Sequence, residues 1–179
     1  MSEDQLERRR LAFRRAGDAV ARYTQGRQVP SLSMEPSEAA GAPDGGDPRR
    51  WQVDLGGRGR QQTETEILAR WAGLVSESRA CFADQEPPGG WGPAREALGA
   101  LGRRVTRNPE ENDAYLEWLR QRARGLIDIA EVWEGVEALA EALLERGSIP
   151  SREASETVAG VHRIHRRRTG FADLFRNPR

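Results

Sequence analysis

Apolar residues return every three or four positions over most of the chain, and the stripes they draw predict helices separated by short, well-punctuated breaks. Leu6, Phe13, Ala16, Val20 and Tyr23 share one face of a first helix over about residues 3–25, with arginines on the other face and Gly26 at its end. Ile67, Trp71, Leu74, Val75 and Phe82 predict a second, core-facing helix over about residues 63–83, which Pro87-Pro88-Gly89-Gly90 interrupts. Pro93 suits the first turn of a third helix running to about Arg107, because the N–H that proline lacks would have no partner there. Asn108 then reads as an N-cap, with Pro109 at the first helical position and Glu110 and Glu111 facing the positive end of the helix dipole. This fourth helix runs to about Asp128, with Tyr115, Trp118, Leu119, Arg122 and Leu126 along it. Val132, Val136, Leu139, Ala140, Leu143 and Leu144 form a fifth stripe closed by Gly147. Ser151 is expected to cap a last helix through Val158, Val161 and Ile164, which pairs with the fifth as a helical hairpin.

Period-two alternation is scarce. Val29 to Met34 alternates like a short strand, and Arg50-Trp51-Gln52-Val53-Asp54-Leu55 is its expected hairpin partner. Between them, residues 35–48 are rich in Pro, Gly, Ala and Asp, with nothing large and apolar from Pro36 to Pro48 beyond Ala and Pro, which predicts a mobile loop. The expected architecture is mainly α: five to six helices with a small β-hairpin. At 179 residues the chain suits one helical domain, residues 1–160, followed by a basic C-terminal tail, residues 161–179.

Composition narrows the function classes. Lys+Arg and Asp+Glu are equal at 28 each, so net charge does not argue for a polyanionic partner. Every basic side chain among them is arginine, a bias expected of a GC-rich bacterial genome. Cys81 is alone, which leaves no disulfide framework and points to a reducing compartment. No run approaches the ~20 apolar residues that span a bilayer, and the start lacks the basic and apolar regions of a signal peptide. The expectation is a cytoplasmic protein without a membrane partner.

The segment Phe13-Arg14-Arg15-Ala16-Gly17-Asp18-Ala19-Val20 has the frame of a zinc helix with the necessary side chains replaced. In H-E-x-x-H, two imidazoles one turn apart hold the metal and the glutamate activates its water. Further on, Ile67-Leu68-Ala69-Arg70-Trp71-Ala72-Gly73-Leu74-Val75-Ser76-Glu77 and Leu139-Ala140-Glu141-Ala142-Leu143-Leu144-Glu145-Arg146 follow in order, with Glu153 continuing the pattern. Over about residues 11–160 this arrangement resembles the peptidase domain of FtsH-type zinc metalloproteases, especially stand-alone relatives without the ATPase module. The resemblance implies H-E-A-G-H-A-V on the first helix, I-x-x-x-x-A-G-x-x-A-E on the second, and a third ligand opening the next helix. Family histidines fall on Arg14 and Asp18, the family glutamate on Arg15, and the third ligand near Gly90. A guanidinium offers no lone pair and keeps its proton, so these positions cannot form a catalytic zinc site. Arg14 and Asp18, four apart, are expected to pair instead. An amphipathic helix with this frame can also arise in an unrelated helical domain.

Other chemistry is thinner. His162 and His165 are three apart and would need Cys81 or Asp173 to complete a metal site, whereas a solvated pair needs nothing further. Gly56-Gly57-Arg58-Gly59-Arg60 lacks the Lys-Ser/Thr ending of a phosphate loop and reads as a hairpin exit. Arg163, Arg166, Arg167 and Arg168 form a basic patch that suits nucleic acid or an acidic protein, but also simply complements a helix C-terminus. Phe171, Leu174 and Phe175 fall at helical spacing and suit either a partner's groove or the chain's own core. The leading expectation is a catalytically defective peptidase-like protein that binds an unknown protein partner and carries no cofactor. The alternatives are a peptidase with a rebuilt metal site and, less favoured, a helical nucleic-acid binder using the arginine patch.

Overall fold

The computed structural model describes residues 2–35 and 57–168, with the backbone alone for Arg58 and for residues 162–168. Among these residues the chain forms six helices and one two-stranded antiparallel sheet. Helix α1 spans Glu3–Thr24, α2 Gly57–Phe82, α3 Gly92–Gly102, α4 Pro109–Ile127, α5 Ala130–Arg146 and α6 Ser151–Arg168; strands β1 and β2 are Leu32–Ser33 and Ser148–Ile149. The mainly α class read from the periodicity is the class observed. The last helix continues past residue 160, and the expected loop over 35–48 lies, apart from Glu35, outside the described residues.

Local chemistry sets most helix ends. Ser2 and Gln5 form a reciprocal capping box at the start of α1, so two orphan donors are satisfied at once. Gly26, at φ 68°, turns the chain out of α1 while the Arg27 N–H returns to the Arg22 carbonyl at 2.9 Å. The Asn108 side chain accepts from the Glu111 N–H at 2.7 Å ahead of Pro109, and Gly147 closes α5 at φ 76°. Helix α3 stops at Gly102, earlier than the expected Arg107, because the chain must fold back against α4 there. A Cβ at Gly102 would press on the Asn112 side chain, whose amide donates to the Gly99 carbonyl at 3.2 Å.

Helices α1 and α2 form the centre, α5 covers the other side of α1, α4 packs on α2, and α3 and α6 close the ends. Ala12, Phe13, Ala16, Ala19 and Val20 of α1 are buried together with Ile67, Trp71, Leu74 and Val75 of α2 and Val136, Leu139 and Leu143 of α5. Phe13 stacks on Trp133 with ring centroids 5.8 Å apart. The α1–α2 contact is unusually close: a Cβ on Gly17 would lie 2.7 Å from the Ala72 carbonyl oxygen, and one on Gly73 2.5 Å from that of Arg14.

Three expectations are corrected. β1 pairs not with a sequence neighbour but with β2, Leu32 opposite Ile149, so the sheet is no hairpin; Arg50 to Leu55 lie outside the described residues. The Met34 N–H to Gly147 carbonyl bond, 2.7 Å, and a bond from the Ser151 hydroxyl to the Val29 carbonyl fasten this segment to the α5–α6 corner. Ser151 is the first helical residue, with its hydroxyl donating to that carbonyl across the fold. Gly57 to Arg60 form the first turn of α2 instead of a hairpin exit, supported against α4 where Arg122 pairs with Glu64. Apart from these, α4 buries Asn112, Leu116, Leu119, Ala123 and Ile127, which leaves Trp118 at 48% exposure.

The glycine contacts give a direct test. Gly17→Ala and Gly73→Ala should each lower unfolding free energy by about 1–3 kcal/mol through overpacking. Gly125→Ala, which meets open space in α4, should raise it by roughly 0.5–1 kcal/mol through helix propensity. Urea denaturation of the three variants measures this; equal stabilities for Gly17→Ala and the parent would contradict the packing.

Candidate functional site

Positions 10, 14, 18 and 22 follow one another at four-residue steps along α1, so one turn stacks above the next beside the seam with α2. Each carries a charge: Arg10, Arg14, Asp18 and Arg22. Across the seam α2 supplies Glu66, Arg70 and Glu77. Two clusters result, one at each end of the glycine contact.

The first centres on Glu77, whose side chain is 0% exposed. Arg10 Nε donates to Glu77 Oε1 at 2.7 Å and Arg14 Nε to Oε2 at 2.6 Å, so each carboxylate oxygen receives its own guanidinium. Withdrawing a carboxylate from water is tolerable only with such partners. Arg10 is steadied by a further pair with Glu7 and by the Phe82 ring, 5.3 Å from its guanidinium carbon. In the second cluster Arg22 bridges Asp18 at 2.6 Å and Glu66 at 2.7 Å, and Arg70 holds Glu66 at 2.8 Å.

The two acids of the second cluster respond oppositely. Burial pushes the Asp18 carboxyl above its ordinary range, and the bond and charge of Arg22 draw it back only in part. Burial also acts upward on Glu66, but the charge of Arg22 and the bonds from Arg70 and Arg22 outweigh it and hold this carboxyl below the ordinary range. Arg22, between two acids, is held more firmly protonated than a free arginine.

The four positions aligned with the zinc motif are each engaged by a different part of the fold. Arg14 does not pair with Asp18, as expected, because the fully buried Glu77 claims it, while Asp18 is satisfied by Arg22 one turn on. Arg15 donates to the Glu35 carbonyl at 3.0 Å. Gly90 sits at φ 69° in the turn before α3, its N–H donating to the Pro87 carbonyl at 2.8 Å. Cys81 is half-buried, and burial raises its thiol pKa despite nearby Arg9 and Arg10, which disfavours the thiolate a metal would need. The backbone of residues 162–168 is helical, which places Arg163, Arg166, Arg167 and Arg168 on α6 together with His162 and His165. Phe171, Asp173, Leu174 and Phe175 lie outside the described residues. Among the described residues no three His, Cys, Asp or Glu side chains are grouped to hold a metal ion.

No family model, curated protein or solved structure matches the chain. The site therefore has to be read from its own geometry. Glu77 was visible in the sequence only as the last letter of a motif, and its partners Arg10 and Arg14 lie 67 and 63 residues away. The signal that was available is the regular four-residue spacing of charges on α1, which marks a row of side chains facing one neighbour.

Two outcomes check the clusters. Glu77→Ala strands Arg10 and Arg14, but these are 22% and 40% exposed and regain some water, so the loss should fall near the low end for a broken buried pair, about 3 kcal/mol in denaturant unfolding. For Glu66 the folded pKa lies below the ordinary value of 4.5, so its stabilisation is complete above that pH and is lost as pH falls through the lower folded value. Glu66→Gln should thus be less stable than the parent at neutral pH, and the gap should close in acid; a gap constant with pH would refute the arrangement.

Proposed function

We propose that the chain is a catalytically defective protein on an FtsH-peptidase-like scaffold, acting in the cytoplasm by binding another protein. The observation that carries the reading is the bond between Arg14 and Glu77. Arg14 occupies the place of the first histidine in the resemblance, and Glu77 is the acid that ends the second signature. Two of the three segments that carry the resemblance are the two halves of one helix seam, and where they meet, a guanidinium engages the carboxylate. Such a pair excludes Lewis-acid chemistry at that point, because an arginine donates hydrogen bonds and binds no cation. No described helix is long and apolar enough to cross a membrane.

A rigid seam without a catalytic ligand set suits a protein that displays a surface. The contact surface in this reading includes the Phe171, Leu174 and Phe175 tail, whose spacing fits a groove on a partner.

Metal analysis tests the first half of the proposal. After exposure to zinc and gel filtration the protein should retain far less than one equivalent and cleave no unfolded protein substrate; one tightly held equivalent lost in Asp18→Ala would overturn it. A chain ending at Gly170 tests the second half. Partner proteins recovered with the full chain from its source cells should be lost with the truncated one, and unchanged recovery would remove the tail from the contact.

A further inference from the structure

A second feature stands apart from the α1–α2 seam and does not rest on the reading given to it. Where the end of α1, the first turns of α2 and the middle of α4 meet, they enclose an open cavity of about 680 Å³. That volume falls within the ~300–1,000 Å³ of small-molecule sites. Its lining is polar, and its charge is uneven: Arg27 comes from the loop after α1, Arg60 from α2 and Arg122 from α4, against one acid, Glu64.

The arginines are not equivalent. Arg122 pairs with Glu64 and lies over the Trp118 ring with its guanidinium carbon 4.8 Å from the centroid. Arg60 stands 6.0 Å from the Tyr115 ring, and Tyr115 and Trp118 stack on one another at 5.9 Å. The aromatic pair thus holds two guanidiniums at the cavity wall, lowering the entropy lost when they bind a ligand. Arg27 and Arg60 have no acidic partner among the described residues. The first turn of α2, which begins in the same wall at Gly57, contains no acidic residue. The arrangement exists because α4 leaves Trp118 exposed beside the half-buried Tyr115.

We infer that this cavity binds a phosphorylated small molecule, with phosphate oxygens on Arg27 and Arg60 and the organic part against the Arg122 guanidinium, which the aromatic pair backs from outside the cavity. Guanidiniums bind phosphate through paired, charge-assisted hydrogen bonds, and their planar faces also stack on rings. The cavity is much larger than a phosphate group, so the phosphate carries an organic moiety. Two arginines without an acidic partner among the described residues, set across a concave wall, suit a compact, multiply charged ligand, whereas a polymer would need positive charge continuing beyond the cavity.

Calorimetric titration of the full chain with ADP and with inorganic pyrophosphate at low salt tests the assignment. ADP should bind saturably at one site and more tightly than pyrophosphate. Arg27→Gln and Arg60→Gln should each weaken ADP by about tenfold, the loss of one charge-assisted contact, with the melting transition of each variant unchanged. Arg152→Gln, on an exposed pair of α6, should bind like the parent. Absence of ADP binding at millimolar concentration, equal affinity for ADP and pyrophosphate, or full affinity in both cavity variants would overturn the proposal. A single-stranded oligonucleotide that binds more tightly than ADP and is not displaced by it would overturn it as well, reassigning the arginines to a polymer.

Discussion

The approach of two backbones at Gly17 and Gly73 governs the rest of the molecule. Because a side chain at either position would collide with the opposing helix, α1 and α2 can meet in this register and in few others. Small residues let the backbones close, and the larger neighbours Phe13, Val20, Ile67 and Trp71 then fill the space on either side. Helix α5 completes α1 on its far face, where a Cβ on Gly135 would make ordinary van der Waals contact at 3.8 Å with Val20 and Val158 side-chain carbons, so the tight approach is confined to the α1–α2 seam. The close seam also fixes which charges face one another. Arg10 and Arg14 reach Glu77 only because the glycine contact lies one turn away.

Burying Glu77 is costly, and a hydrophobic residue of similar size would not need two guanidiniums. What the carboxylate supplies is direction. Each oxygen accepts from a different α1 arginine, so rotation or sliding of α1 by one residue would leave a buried charge without a partner. The apolar contacts of the seam tolerate small shifts; the ionic contacts do not. Arg22 does the same at the other end by spanning Asp18 and Glu66. Arginine suits both tasks because its fork satisfies two oxygens or two acids with one rigid group. The absence of lysine, attributed to genome composition from sequence, therefore has a structural use whatever its origin.

Elements set by local chemistry were legible in the sequence. Gly26, Asn108-Pro109 and Gly147 announce helix ends through backbone conformation and capping, and the structure places ends beside each of them. Contacts between distant segments were not. Nothing near Leu32 specifies Ile149 as its partner, since a two-residue strand carries too little pattern to choose among neighbours. The sequence did not choose a face for α4, whose large apolar residues lie on several sides; the helix buries the row Leu116, Leu119, Ala123 and Ile127 and leaves Trp118 exposed. Arg14 was assigned to Asp18 because four-residue spacing is the only partner information a helix sequence contains; the stronger claim came from a buried acid 63 residues further on.

The seam also bears on what the resemblance means. Ala16, Gly17, Ala19 and Val20 are all buried, as are Ala69, Ala72, Gly73 and Ser76, so the small-residue letters of both signatures are accounted for by helices packed at close range. Packing alone would preserve that frame in a chain with or without peptidase ancestry. The frame therefore carries no information about chemistry, and the informative positions are those packing does not dictate. Arg14 and Asp18 are such positions, since both lie at the edge of the seam, partly exposed. A cation at the first and a carboxylate at the second build ion pairs with Glu77 and Arg22, and a metal ion in the same place would have to displace an arginine from a carboxylate that water cannot reach. The arrangement is stable because its charges already neutralise one another, and that is the physical sense in which this seam is structural.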